Sequence, residues 1–247
     1  MFPSNVEKVL SAIKPDDIVL DVGGWACPFN RANWVIDGGY FETRGYYEKI
    51  GMPKSQGGEK EYFNKETWVQ RDFCDREPWP FEDKFFDFSI CSHTLEDVRD
   101  PLYVCSELVR VSKCGYIEVP SRLLESCRGL ESDTLVGLSH HRWLVDITDN
   151  HVQFLMKYHL IHGDFQLSFP PSFAKKIPPD ETIAFLFWEE KFDFSEKRID
   201  GLDKIYEELS QFVYKKYKYP QYMYNIQHLS KQTNRILKGL KRRLVSS

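Results

Sequence analysis

At 247 residues the chain is long enough for one large domain, or one domain with appendages, and needs neither a disulfide nor a metal to be stable. Its composition, 42% hydrophobic and 28% charged, excludes a disordered chain, and a net charge of −4 speaks against a general polyanion binder. None of the six cysteines forms a Cys-x-x-Cys pair, the N-terminus lacks a basic and apolar leader, and no apolar run approaches the roughly 18 residues of a membrane span, so a reduced, cytoplasmic protein is expected.

Val6, Val9, Leu10 and Ile13 recur at a helical period, with Ser4 or Asn5 as candidate caps, until Lys14-Pro15-Asp16-Asp17 breaks the run. Ile18 to Val22 is a short apolar stretch ending at Gly23-Gly24, the pattern of a buried parallel strand feeding a tight turn. Ala32 to Asp37 reads as a second strand, Gly51 to Lys65 as a loop, and Trp68 to Asp72 as a third strand. Phe85 to Cys91 is the clearest strand of all. Asp100-Pro101 opens a helix whose apolar face is Leu102, Cys105, Leu108 and Val109, and Gly115 to Pro120 is the next strand. Strand and helix thus alternate from Ile18 to Pro120, which predicts a parallel sheet with crossover helices and a ligand site at the carboxyl ends of the strands. Beyond Ser121 the spacing of Val152, Leu155, Met156 and Leu160 predicts a helix over 149–160. Thr182 to Trp188 reads as a last strand, and Ile199 to Tyr217 as a helix. Leu229 to Leu244 reads as a basic amphipathic helix, which usually packs its leucines on its own domain or a partner subunit.

Five constellations carry chemistry, in this order. Asp21-Val22-Gly23-Gly24 sets a carboxylate beside a turn that a ligand can approach closely. Asp37, at the next strand end, can accept hydrogen bonds from ribose hydroxyls. Arg71-Asp72-Phe73 offers an acceptor and an apolar wall for a purine. Phe86-Asp87-Phe88 leads into Ser92-His93-Thr94-Leu95-Glu96-Asp97-Val98. Glu107-Leu108-Val109-Arg110-Val111 precedes Gly115-Tyr116-Ile117.

In this order the motifs resemble the class I S-adenosylmethionine-dependent methyltransferases over about Ile18 to Pro120. The resemblance implies an α/β, Rossmann-like three-layer sandwich with a mostly parallel seven-stranded sheet, followed here by a C-terminal helical extension. It implies a methyltransferase domain over 1–195, with an acceptor-site insertion over about 121–165 and the extension over 196–247. It further implies S-adenosylmethionine as cofactor: Asp21, Gly23 and Gly24 at its methionine portion, Asp37 at the ribose, Asp72 and Phe73 at the adenine, and Ser92 and His93 at the active-site mouth. Two departures stand out. Trp25 and Cys27 occupy positions where the family loop has glycines, so Trp25 is expected to cover the cofactor. The stretch up to Asp37 also has room for barely one helical turn. A dinucleotide fingerprint, with three glycines and an acid about 20 residues on, is absent.

The activity expected is methyl transfer, with positioning as the main catalytic device and a base needed for oxygen acceptors. Candidate catalytic bases are His93, His140 and His141. Glu118 and Arg122 flank the fifth strand's end and are candidate acceptor contacts. Arg142 suits a carboxylate or phosphate and Trp143 a ring face, which points to O-methylation of a small polar or sugar-like acceptor. Glu96 and Asp97 read as the solvated edge of the fourth loop, with Glu96 the better site candidate of the two. A metal site from His140, His141 and Glu118 is conceivable, but adjacent histidines on a strand point to opposite faces, so no metal is assigned. Two other readings stay open: a catalytically silent binding protein on the same fold, motivated by the unusual glycine loop, and a nucleic-acid methyltransferase guided by the basic tail. Acidity and the lack of an Asn/Asp-Pro-Pro-Tyr motif argue against nucleic acid as partner; a homodimer is compatible with the sequence.

Overall fold

The computed structural model describes residues 1–51 and 53–217. Its elements run α1 (Pro3–Ala12), β1 (Val19–Val22), β2 (Trp34–Asp37), β3 (Trp68–Gln70), β4 (Phe86–Ser92), α2 (Pro101–Val111), β5 (Ser112–Pro120), α3 (Arg122–Glu125), β6 (Trp143–Thr148), β7 (His151–Met156), α4 (Pro171–Ala174), β8 (Ile183–Glu189), β9 (Asp193–Glu196) and α5 (Leu202–Lys216). The basic stretch 229–244 lies outside the described residues.

The main sheet has the order β3-β2-β1-β4-β5-β8, parallel throughout except for β8, which runs against β5. Among the described residues it has six strands rather than the seven the resemblance implies. The remaining three, β6, β7 and β9, make a second sheet. The centre of the main sheet is covered on both faces, which is why β1 and β4 read as near-continuous apolar runs. Val9 of α1 and Ile13 just past its end pack on Val19, Val35, Phe88 and Ile90. On the opposite face, Val104 and Leu108 of α2 share a cluster with Leu20, Val22 and Ile36, and also with Val145, Val152 and Phe154 of the small sheet. One outer layer is therefore part helix and part sheet.

The small sheet is itself buried from two sides. Val145, Val152 and Phe154 face the main core, while Leu144 and Leu155 meet Ile205 and Leu209 of α5. This explains the error over 149–160, which is a strand and not a helix. A strand covered on both faces places apolar residues at consecutive positions, and Leu155 beside Val152 imitates a helical spacing. The turn that makes it a hairpin is Asp149-Asn150, with Asp149 at φ 51° between the paired Thr148 and His151.

One other local expectation fails. Neither Ser4 nor Asn5 caps α1; the helix begins at Pro3, and Asn5 is buried within it, donating from Nδ2 to Glu118 Oε2 at 3.1 Å. By contrast Asp100 does cap α2, accepting from the Tyr103 amide at 3.2 Å with Pro101 in the first turn. The segment 121–165 forms α3, β6 and β7, and β9 runs across residues 195 and 196. All six cysteines are free, and no helix among the described residues is long and apolar enough to cross a membrane.

Candidate active site

The carboxyl ends of β1, β2 and β4 bring their loops together. After β1, Gly23 takes φ +78°, and its amide donates to Ile36 O at 2.9 Å. A Cβ at Gly23 would lie 2.3 Å from Thr94 Oγ1, and one at Gly24 would lie 2.7 Å from Asp21 Oδ2. Gly23 lets the loop after β1 close onto the loop after β4, and Gly24 lets it fold back onto Asp21 and Pro28. Gly23→Ala is expected to lose at least about 1–2 kcal/mol from the left-handed backbone alone, with the Thr94 clash added. Chemical denaturation would read this as a lower midpoint at unchanged slope; an unchanged midpoint would contradict the packing described.

Trp25 follows at φ 30°, uncommon for a residue with a side chain. Its amide donates to Asp37 Oδ2 at 3.1 Å, and its ring packs near Tyr46 and edge-on to Tyr47, with centroids 5.8 and 5.2 Å away. The position that departs from the family loop thus ties that loop to the end of β2.

Two cavities meet at this loop. The larger, about 650 Å³, is lined by Asp37, Asp72, Phe73, Thr94, Asp97 and Arg99, among others. The smaller, about 290 Å³, is lined by Asp21, Gly24, Cys27, Phe29, Tyr47 and Ser92, among others. Gly23, Trp25 and His93 border both. All eight residues expected at the cofactor are therefore in one or both cavities. Thr94, Arg99 and Cys74 also line the larger cavity and were missed by the sequence reading. Arg99 holds Asp72 Oδ2 at 2.9 Å, and the signal for it was its place in the loop after β4.

The acids are unevenly solvated. Asp37 accepts from the Gly39 amide at 2.5 Å and from Trp25, leaving lone pairs on each oxygen. Burial outweighs those bonds and pushes its carboxyl up to about 6. Burial likewise pushes Asp21 up to about 7, against the pull of the Phe29 amide that it accepts at 2.7 Å.

His93, at φ 54° just past β4, lies with Nε2 3.0 Å from Glu118 Oε1 and Nδ1 3.6 Å from Glu96 Oε1. Its surroundings disfavour the charge, but the two carboxylates prevail and raise it to about 9. An imidazolium donates protons, so in the free protein His93 is not placed to act as the base expected of it. Its side chain is 41% exposed, so it borders the cleft while staying tied to the floor.

Glu118 is that floor. It is fully buried and accepts from the Phe2 amide at 2.7 Å, Tyr116 Oη at 2.5 Å, Asn5 and His93. Burial would raise its carboxyl, yet the bonds from His93 and Tyr116 outweigh that and hold it near 2. With its oxygens engaged, Glu118 positions His93 and does not face an acceptor, a correction to its expected role. Arg122 is corrected too: it is buried, with Nη1 2.7 Å from Asp146 Oδ2, Nη2 3.0 Å from Glu208 Oε1 and its guanidinium over Phe212. The turn at Ser121 into α3 aims it between β6 and α5, away from the cleft. Arg142 is exposed and borders neither cavity. Trp143 donates from Nε1 to Val98 O at 2.9 Å and borders a separate cavity of about 450 Å³ with Arg99 and Asp100.

Glu96 is not at a solvated edge but 1% exposed. Nor are His140 and His141 on a strand; they sit in a turn before β6, rings 4.5 Å apart, both beside Asp97. His141 Nδ1 lies 2.9 Å from Glu125 Oε1, whose other oxygen accepts from Lys157 at 3.0 Å. Burial opposes the His141 charge, but Glu125 outweighs it and raises the pKa.

Residues 52–117, from the loop before β3 to the middle of β5, match the family model described as "Methyltransferase domain". That segment is similar to a methyltransferase domain and lies on a Rossmann-like, mostly parallel α/β sheet. No curated protein sequence matches the chain. Similar solved structures include a chain of the Haloferax volcanii complex containing the Trm112 methyltransferase activator, 18% identical over 47% of this chain with TM-score 0.33. A SAM-dependent methyltransferase of Aquifex aeolicus is 21% identical, with 48% of this chain and 65% of that one covered and TM-score 0.31. One from Methanosarcina mazei is 19% identical over 60% of this chain and 87% of that one, with TM-score 0.33. The domain spans about half the Haloferax chain, 51%. With scores this low, the likeness rests on the matched segment; the sheet order, otherwise parallel and ending in one antiparallel strand, is that of the fold described above.

Proposed function

We propose that the domain binds S-adenosylmethionine across the two adjoining cavities and transfers its methyl group to an oxygen of a small polar or sugar-like acceptor. The observation that carries this reading is Asp37: a buried carboxylate at the end of β2, pinned by two backbone amides, with lone pairs left over and a cavity in front of it. Two ribose hydroxyls can donate to it. Asp72 and Phe73 flank the same cavity, which suits a purine, and the smaller cavity beside Asp21, Gly24 and Ser92 suits the methionine portion. The closely packed glycine loop, which admits no Cβ at Gly23 or Gly24, leaves backbone beside the ligand instead of side chains.

In the reaction the acceptor oxygen attacks the methyl carbon. The C–S bond breaks, its electron pair stays on sulfur, and neutral S-adenosylhomocysteine leaves. Bringing the oxygen in line with the C–S bond supplies most of the rate, because the sulfonium is already activated. The hydroxyl proton must be taken up. His93 is held as an imidazolium, so this falls to Asp97, a carboxylate that lines the larger cavity.

The test is calorimetric titration with S-adenosylmethionine and S-adenosylhomocysteine, followed by labelled-methyl transfer to a panel of sugars, hydroxy acids and phenols. Saturable binding of both nucleosides and transfer to at least one oxygen acceptor are expected. An absence of heat up to millimolar nucleoside would overturn the reading. Binding without transfer to any acceptor would favour the silent binding protein.

A further inference from the structure

Beside the larger cavity, which Asp97 lines, Asp97, His140 and His141 each present one donor atom, and the three atoms lie within 4.8 Å of one another. Both imidazoles are oriented alike. His141 Nε2 is 3.8 Å from Asp97 Oδ1, while its Nδ1 is 2.9 Å from Glu125 Oε1. His140 Nε2 is 4.0 Å from Asp97 Oδ2, while its Nδ1 is 3.6 Å from Glu131 Oε1. Each imidazole thus has a carboxylate on its Nδ1 side and turns its Nε2 toward Asp97. Metal-ligating histidines are held in this manner by their outer shell.

A second observation is independent of the histidines' orientation. Glu96 is 1% exposed, and neither of its carboxylate oxygens makes a hydrogen bond among the described residues. Its Oε1 lies 3.8 Å from His141 Nε2. Asp97 Oδ1 is also buried without a hydrogen bond. Leaving such oxygens unmatched is costly. Glu96, Asp97 and Glu125 bring three carboxyl groups to this corner; Lys157 is spent on Glu125, and the His93 imidazolium, 3.6 Å from Glu96 Oε1, is hydrogen-bonded to Glu118 instead.

We propose that Asp97, His140 and His141 form a binding site for a divalent first-row transition metal of the zinc class, with Glu96 as the fourth ligand and Glu125 and Glu131 orienting the imidazoles. Two imidazoles with carboxylates select such an ion over magnesium or calcium, which prefer all-oxygen sets. Bond lengths of about 2.0–2.1 Å put ligand atoms on a tetrahedral zinc about 3.3 Å apart. The observed gaps, 3.8 and 4.0 Å to Asp97 and within 4.8 Å for the whole set, are wider than this and must close by side-chain rotation when the ion binds. A plain counter-ion role for His141 accounts for Glu125 but not for His140 turning its own Nε2 to the same aspartate. Asp97 also lines the main cleft, so the ion would sit at its rim and could acidify an acceptor hydroxyl. That consequence rests on the methyl-transfer reading; the binding site does not.

The test uses the full chain, tag-free and stripped with a chelator, titrated with Zn²⁺ by calorimetry and with Co²⁺ by visible absorption. One Zn²⁺ per chain with a Kd on the order of micromolar or tighter is expected, with ligand-field bands for Co²⁺ and no competition from millimolar Mg²⁺. His140→Ala, at an exposed position, is expected to keep the fold and weaken Zn²⁺ at least about tenfold. Glu125→Gln, checked for folding by circular dichroism, is expected to weaken it by about 10–100-fold. No zinc binding, or unchanged affinity and cobalt spectrum in both His140→Ala and Asp97→Asn, would overturn the proposal. A parallel S-adenosylhomocysteine titration of the metal-free protein separates the two readings. Nucleoside binding without zinc binding sinks the metal site alone, and zinc binding without nucleoside binding sinks the cofactor site alone.

Discussion

Asp37→Ala is expected to weaken S-adenosylhomocysteine binding by about a hundredfold or more, since two hydrogen bonds to a charged group at about 1.5–3 kcal/mol each are lost. The same change frees the Trp25 and Gly39 amides, so the loop around the ligand loosens as well. A pH series sharpens the test. The carboxylate is the form that accepts from both hydroxyls, and burial has raised Asp37 to about 6. Affinity should therefore fall as pH drops through about 6, and Asp37→Asn should lack that inflection. The stability of the free protein should move the other way. The folded state holds the Asp37 proton more tightly than the unfolded chain does, so ionisation costs stability as pH rises from the ordinary carboxylate range to about 6. Above that range Asp37→Asn should unfold no earlier than the parent while binding far less ligand. Affinity that survives Asp37→Ala undiminished would remove the ribose assignment.

Glu118→Ala is expected to destabilise the protein by about 3–5 kcal/mol, the scale for breaking a buried ion pair. It strands the Phe2 amide, Asn5, Tyr116 and His93 together. Its pH signature is specific. The Glu118 carboxyl sits near 2 in the folded protein. Its contribution is thus complete above the ordinary glutamate pKa and is lost as pH falls from there towards 2. His93, raised to about 9, contributes fully below its ordinary pKa, and that share is lost as pH climbs towards 9. Urea unfolding across the pH range should show an acid limb that Glu118→Gln reduces. An unaltered acid limb in that variant would mean that other carboxylates carry it.

The sequence made the strand ends legible and left the contacts of their neighbours obscure. Asp21, Asp37 and the Ser92–Val98 loop were findable because a buried parallel strand must be apolar and must stop at a turn, so an acid or glycine at its end is conspicuous. The cavity partners Thr94 and Arg99 were within reach of the same logic. Arg122, Glu118 and Glu96 were not. Whether a charged residue after a strand faces solvent, substrate or another element depends on where the chain goes next, and α3 and β6 decide that here. Both errors beyond residue 120 share a cause. A hairpin buried on two faces loses the alternation that identifies strands, and once β7 was taken for a helix the His140-His141 turn before β6 had no frame. The Asp149-Asn150 turn was the one local signal that spoke for a hairpin.

The pairing of β5 with β8 has a consequence for how the molecule is assembled. The partners run from Cys114 with Glu189 to Pro120 with Ile183, so residues 121–182, with the whole β6–β7 hairpin, lie between them. Until that segment is in place, β5 presents a long, apolar, unpaired edge, the kind of surface that recruits other chains. The contact that closes the sheet is among its longest in sequence, and such contacts form late because the loop must be ordered before the pairing repays it. The main sheet is therefore finished from the far side of the chain. The elements that complete the candidate acceptor rim are also the ones that protect the nascent protein from association.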